Sequence, residues 1–234
     1  MRKYQLILID TLLLIVVSSV LAVGVNFTVA RLKGETKKDD PIVTAIIQAD
    51  ANEVKNLVQG GAGVTNETDE LGRTALMRAA FANFSGPRDG SSKDPAAALS
   101  DTDGKRAVLV ALLFEHGAKP DARDNDGWTA LMWASWSGLS KVADQLLESG
   151  ASPAFADRQG NTALIIAAQR GHASIVAALL AKGADATVAN KAGLTALAAA
   201  KTGMAQFPDQ AGGYTAVIAR LSPVNAPAGD SGGR

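Results

Sequence analysis

The chain has 234 residues, and its 23 basic side chains are matched by 23 acidic ones, so the formal net charge is zero. It has no cysteine and two histidines, His116 and His172; 47% of the residues are hydrophobic and 5% aromatic. These numbers exclude disulfide staples, thiolate zinc sites and a cysteine nucleophile, and they leave little material for His-based metal or triad chemistry. The basic excess of a nucleic-acid binder is missing. A core made of Ala, Leu, Val and Ile with so few aromatics points to small, closely packed helices.

Leu6 to Ala30 is apolar except for Asp10, a few hydroxyls and Asn26, and it follows Arg2 and Lys3. A charged start, an apolar run and a small-residue end describe a secretory signal peptide, with Val20-Leu21-Ala22 as the cleavage site. The competing reading is an uncleaved anchor. Thr11 to Ala30 supplies 20 residues, the number needed to cross about 30 Å of hydrocarbon, so length favours the anchor. Cations flank the run on both sides, and the positive-inside rule nearly ties. The lack of cysteine tips the balance toward export. Residues 1–30 are therefore read as a signal anchor or signal peptide, with the membrane met through residues 6–30. The remainder is expected outside the cytoplasm (periplasmic if bacterial), either membrane-anchored or released by cleavage. Residues 31–39 form a charged linker.

From residue 40 onward a period of 33 residues organises the chain. Thr129-Ala130-Leu131-Met132, Thr162-Ala163-Leu164-Ile165 and Thr195-Ala196-Leu197-Ala198 recur at that spacing, each preceded by Gly127, Gly160 or Gly193. Gly150-Ala151 recurs as Gly183-Ala184. An earlier copy has Gly72, Thr74-Ala75-Leu76-Met77 and Gly117-Ala118, with its halves 43 residues apart against 21 in the copy from Thr162 to Gly183. That difference defines a 22-residue insertion, residues 83–104. A degenerate first copy starts at Asp40-Pro41. Fixed self-similarity at this period marks a repeat array. Each Thr can N-cap a first helix. The alanines of that helix (Ala79, Ala80, Ala134, Ala167, Ala168) let a neighbouring backbone come close. Ile175, Val176, Leu179 and Leu180 give the second helix one apolar face, and Gly183 ends it.

Gly160-Asn161-Thr162-Ala163-Leu164, Ala167-Ala168, Gly171-His172, Ile175-Val176, Leu179-Leu180 and Gly183-Ala184-Asp185 together resemble the ankyrin repeat, over about residues 40–222. The family often has Pro after the Thr and His after the Leu; here Ala follows the Thr, and Met, Ile or Ala follows the Leu. The resemblance implies an all-α repeat solenoid of about five helix-turn-helix units joined by β-turn fingers, after an N-terminal hydrophobic helix. The units are 40–71, 72–126 with the insertion, 127–159, 160–192 and 193–222, and residues 223–234 form a disordered tail. Such an array needs capped ends, a role that suits the degenerate first and fifth units.

The resemblance also implies a non-enzymatic module that binds a protein on its concave side, through finger tips and the first-helix face. Register places Glu70 and Leu71, Asn125 and Asp126, Arg158 and Gln159, and Lys191 and Ala192 at the tips. Arg73, Trp128, Asn161 and Leu194 follow the turn glycines; Phe81, Trp136 and Gln169 lie near the end of the first helix. The binding residues expected are therefore Trp128, Trp136, Phe81, Arg73, Asn125, Asp126, Arg158, Gln159, Asn161 and Gln169. Trp133 shares the register of Ile166 and is expected in the core, whereas Trp128 and Trp136 fall at exposed positions suited to anchoring a partner.

Other motifs read as structural. Asp124-Asn125-Asp126-Gly127 and Asp101-Thr102-Asp103-Gly104 lack the ligand alternation and closing Glu of a calcium loop, and turn chemistry explains both. Gly60-Gly61-Ala62-Gly63 lacks the Lys and Ser or Thr of a phosphate loop. His172 suits a structural turn and His116 a helix C-terminus. Asn66-Glu67-Thr68 and Asn83-Phe84-Ser85 match a glycosylation sequon, relevant only in a eukaryotic secretory route. The insertion, rich in Gly, Ser and Pro over Ser85 to Lys93, and a similar extension around Phe207-Pro208-Asp209, are expected as tolerated surface loops at the edge opposite the tips. No catalytic, cofactor-binding or metal-binding residue is assigned. The partner is an unidentified protein, with no nucleic acid, and the oligomeric state is open. The alternatives are a dedicated inhibitor or immunity-type binder of one enzyme, and a self-assembling structural scaffold.

Overall fold

The computed structural model describes residues 45–46, 51–59, 66–81 and 95–222. The hydrophobic segment, the linker, the tail and the Gly/Ser/Pro-rich part of the insertion lie outside the described residues. Among the described residues no helix is long and apolar enough to cross a membrane.

The described chain is helical: α1 (Ala51–Gln59), α2 (Ala75–Ala80), α3 (Pro95–Glu115), α4 (Ala130–Ser137), α5 (Ser140–Glu148), α6 (Ala163–Gln169), α7 (Ala173–Ala181), α8 (Ala196–Gln206) and α9 (Ala211–Leu221), with a 3-10 turn at Pro208–Gln210. Two layers run through it. The inner helices α2, α4, α6 and α8 pack each on the next, and so do the outer helices α1, α3, α5, α7 and α9.

The periodic residues produce this arrangement. Thr74, Thr129, Thr162 and Thr195 are extended N-caps whose hydroxyls accept from the amides of Met77, Met132, Ile165 and Ala198 at 3.3–3.4 Å. Ala79, Ala80, Ala134, Ala167, Ala168, Ala199 and Ala200 are wholly buried where the inner helices stack. The outer helices α3, α5 and α7 end on Gly117, Gly150 and Gly183, all with positive φ. Beyond each, an amide reaches back to a carbonyl of the last turn, as Ala184 does to Leu179 at 2.9 Å. Only glycine takes that left-handed position without a steric penalty.

Between the layers' connections stand the fingers. Asp69, Asp124, Asp157 and Asn190 each accept with Oδ1 from the amides two and four residues ahead, at 2.8–3.0 Å. A backbone bond from the same residue closes each hairpin, for example Asp157 N–H to the Asn161 carbonyl at 3.0 Å. Each tip also donates to the preceding tip: Asn125 to Leu71, Arg158 to Asp126 and Lys191 to Gln159, at 2.9–3.0 Å. Asp124 thus spends its carboxylate within its own unit, Oδ1 on the finger amides and Oδ2 on Trp133 Nε1 of α4 at 3.2 Å. Turn chemistry accounts for it.

The insertion departs from the expectation of a loop. From Pro95 it is helix, continuous with the outer helix of its unit as α3. Asp103, inside the range read as insertion, is buried against the start of α5. It accepts from the amides of Lys141 at 2.9 Å and Val142 at 3.1 Å, and from Ser140 Oγ at 3.3 Å. The residue preceding α5, Leu139, supplies no side-chain cap, so a carboxylate from the neighbouring unit does. One turn on, buried Arg106 donates to the carbonyls of Arg78, Ala79 and Phe81 at 3.1–3.3 Å and so closes the C-terminus of α2. The extension near Phe207 is likewise ordered. α8 runs on to Gln206, and the 3-10 turn follows directly.

Candidate protein-binding face

The finger tips present side chains outward while the backbone ladder holds their spacing. Glu70, Asn125, Arg158, Lys191 and Ala192 are exposed, and Leu71, Asp126 and Gln159 are half-buried. The tip assignments agree with the structure. Asn125 also ties back, its Nδ2 donating to the Glu70 carbonyl at 2.9 Å.

Two residues expected on the face are not on it. Trp128 is 1% exposed and Asn161 1% exposed. Both directly follow a turn glycine, and there the chain turns back under the finger. Asn161 Nδ2 donates to Asp157 Oδ2 at 3.0 Å, and its Oδ1 accepts from Asn190 Nδ2 at 2.7 Å, a polar stitch between successive fingers. Trp128 packs on Trp133 with ring centroids 4.8 Å apart and on Trp136 at 6.1 Å. Trp133 is core, as its register requires, and it meets Phe81 edge to face at 4.9 Å. The binding role expected of Trp128 and Asn161 therefore gives way to a structural one. Arg73 is half-committed too: its Nε bonds Asp69 Oδ2 at 2.9 Å, and Arg78 contacts the same oxygen.

Trp136, Phe81 and Gln169 remain partly accessible at the end of the inner helices. Over the Trp136 ring lies the Arg170 guanidinium, 4.3 Å from the centroid. Stacked arginine on indole is a favourable cation–π pair. Burial pulls the Arg170 guanidinium below its ordinary range. Behind it, the His172 ring holds the Trp136 carbonyl, and its Nε2 is buried without a partner. Burial and the Arg170 charge bring His172 down to about 4, so it is neutral at physiological pH. His172 is structural, as read. So is His116, whose Nδ1 contacts the Leu112 carbonyl at 2.9 Å. The Asn66 amide bonds both the Gly117 carbonyl and the Lys119 amide at 2.9 Å, which commits that sequon side chain to the fold.

Sequence reasoning missed several residues. Arg170 is adjacent to Gln169, and extending the first-helix face by one position would have found it. Phe155 and Val188, 33 residues apart, are exposed at 36% and 38% on the segments entering two fingers. Arg123 lies 5.9 Å from the Phe155 ring and donates to the Ala156 carbonyl. The 33-residue register carried that signal. Asp103 and Arg106 had none, because the insertion hid their position relative to the array. Among the described residues no group of His, Asp or Glu is arranged to hold a metal ion.

A solenoid of capped helix pairs with Asp-closed fingers defines a helical-repeat protein. Family comparison makes the class specific. A family model of ankyrin repeats (3 copies) matches residues 96–157, and one of ankyrin repeats (many copies) matches residues 146–200. Residues 96–200 therefore carry ankyrin repeats. No curated protein matches the chain. Ankyrin repeats are in general protein–protein interaction modules and typically non-enzymatic.

Proposed function

We propose that the chain is a non-enzymatic binding module presented at a membrane, with residues 1–30 as anchor, 31–39 as linker and about five units over 40–222. The concave face takes the protein partner, and the module lies outside the cytoplasm. The observation that carries the binding reading is the half-buried Trp136 under Arg170 at the ends of the inner helices, on an array whose finger backbones are already fixed. A large amphipathic side chain held in place loses little entropy on binding and suits an interface anchor. The membrane reading rests on the length and flanking charges of residues 6–30.

The test is cross-linking of the full chain in native membranes. A photoreactive residue at position 125 or 158 is expected to capture one protein, and the same residue at exposed Asp144 on outer helix α5 is expected to capture none. Capture from Asp144 alone would move the site off the concave face. A C-terminal reporter active only outside the cytoplasm checks orientation; a silent reporter on a membrane-bound chain would refute it.

A further inference from the structure

The connection between α6 and α7 clasps the end of the preceding inner helix, α4. Arg170 lays its guanidinium over the Trp136 ring, 4.3 Å from the centroid, and His172, two residues on, holds the Trp136 carbonyl. Gly171 between them is tightly packed. A Cβ on it would lie 3.2 Å from the Tyr214 ring, and one on Gly213 would lie 2.7 Å from the Gly171 carbonyl oxygen. The backbone is thus pinned between α4 and α9, which leaves the Arg170 side chain as the movable part.

The repeat register explains why a cover falls on this indole. Residue 170 corresponds to Ser137 in the unit before and to Gly203 in the unit after; residue 136 corresponds to Gln169. A Cβ on Gly203 would lie 2.5 Å from the Gln169 carbonyl oxygen, so this position sits on the helix end of the preceding unit. Of Ser137, Arg170 and Gly203, only the arginine is long enough to cover a ring.

The latch is weak. Arg73 and Arg78 are tied to Asp69, and Arg106 to three carbonyls. Among the described residues no carboxylate or carbonyl accepts from the Arg170 side chain, and none of its N–H groups is buried without a partner, so water serves them. Stacking alone holds it, and stacking on a part-exposed indole is weaker than a charge-assisted hydrogen-bonded pair.

We infer that Arg170 is a side-chain lid on Trp136: closed in the free chain, it shields the indole from solvent, and it swings aside without backbone motion when the partner takes the indole. This rests on Trp136 as the anchor proposed above. Such a lid lowers the partner's affinity by the fraction of chains in which it is open, and it keeps a large aromatic surface covered while the site is empty.

The experiment uses the full chain in detergent and acrylamide, an uncharged quencher of tryptophan fluorescence. Trp128 and Trp133 are 1% and 3% exposed, so the quenchable emission belongs to Trp136, and Trp136→Phe should abolish it. Arg170→Ala should raise the quenching constant about twofold or more, and Arg170→Lys, which keeps the charge without the planar face, should fall between. An unchanged constant in Arg170→Ala would overturn the lid, and so would quenching that survives Trp136→Phe. Should Arg170→Ala disturb packing, the unaltered chain supplies a second reading. Stacking places the Arg170 Nε proton in the indole ring current, so Trp136→Ala should move that resonance downfield; no movement would overturn the lid equally. In native membranes a photoreactive residue at position 125 should capture the partner from Arg170→Ala at least as well as from the unaltered chain. Loss of capture by a folded Arg170→Ala chain would make Arg170 a contact rather than a lid. If Trp136→Ala captures as the unaltered chain does while acrylamide still registers the cover, the anchor reading falls and the cover on the indole stands.

Discussion

Asp103→Ala should destabilise the array by about 2 kcal/mol. Removing a helix cap costs about 0.5–2 kcal/mol, and a hydrogen bond to a charged group contributes about 1.5–3 kcal/mol. The two overlap here, because the cap is the charged acceptor. The loss leaves the amides of Lys141 and Val142, bonded at 2.9 and 3.1 Å, without their acceptor at the positive end of α5. It also removes the negative charge nearest buried Arg106. Asp103→Asn keeps one acceptor oxygen and should cost roughly half as much. The assay is a urea melt by far-UV circular dichroism, with hydrogen exchange at Lys141 and Val142 as the local readout. A change below about 0.5 kcal/mol, with exchange at both amides unaltered, would refute the capping argument. For the same reason, replacing residues 84–103 by a short Gly-Ser bridge should cost more than the ~1 kcal/mol expected of a loop-length change alone.

Trp128→Ala should cost about 3–5 kcal/mol, as a buried aromatic truncation does, whereas Trp136→Ala should cost nearer 1 kcal/mol and weaken partner binding about thirtyfold; equal losses of stability in parallel melts would contradict the burial difference. Gly203→Ala should destabilise by about 1–3 kcal/mol, because the added Cβ would lie 2.5 Å from the Gln169 carbonyl and from the Tyr214 ring; an unchanged melt would mean α8 and α6 are not so closely packed. His172 has a folded pKa of about 4, below its ordinary 6.5. The unfolded chain therefore takes up a proton in that window that the folded chain refuses. Stability should be fully present above about pH 6.5 and fall by roughly 2–3 kcal/mol as pH drops toward 4. His172→Gln should flatten the slope between pH 4 and 6.5, and an unchanged slope would sink the assignment.

The repeat fold was legible because its causes are local and periodic. Threonine caps, alanine contact faces and glycine terminators each act within a few residues of themselves, and the 33-residue spacing superposes them. The face was less legible. Position 128 and position 161 follow a turn glycine, and register alone does not say whether a side chain there points out or back. In this chain an indole fills the space in one unit, and an amide stitches two fingers in the next. The long-range pieces were not legible at all. Asp103 caps a helix in the next unit, 38 residues away along the chain at Lys141, and no local rule links the two. Arg170 stands at an ordinary helix-end position. It becomes informative only when the fold lays its guanidinium over the Trp136 ring.

The finger-to-finger bonds have a mechanical consequence. Each tip amide grips the tip before it, Asn125 to Leu71, Arg158 to Asp126 and Lys191 to Gln159. A load applied along the stack therefore crosses every junction in series, and the weakest junction sets the yield force. The junction before α4 is reinforced by the Asp103 brace, and the one before α8 by the Asn190–Asn161 stitch. A partner gripping the last fingers would pull on the array as on a short spring, stretching all junctions a little before any one opens.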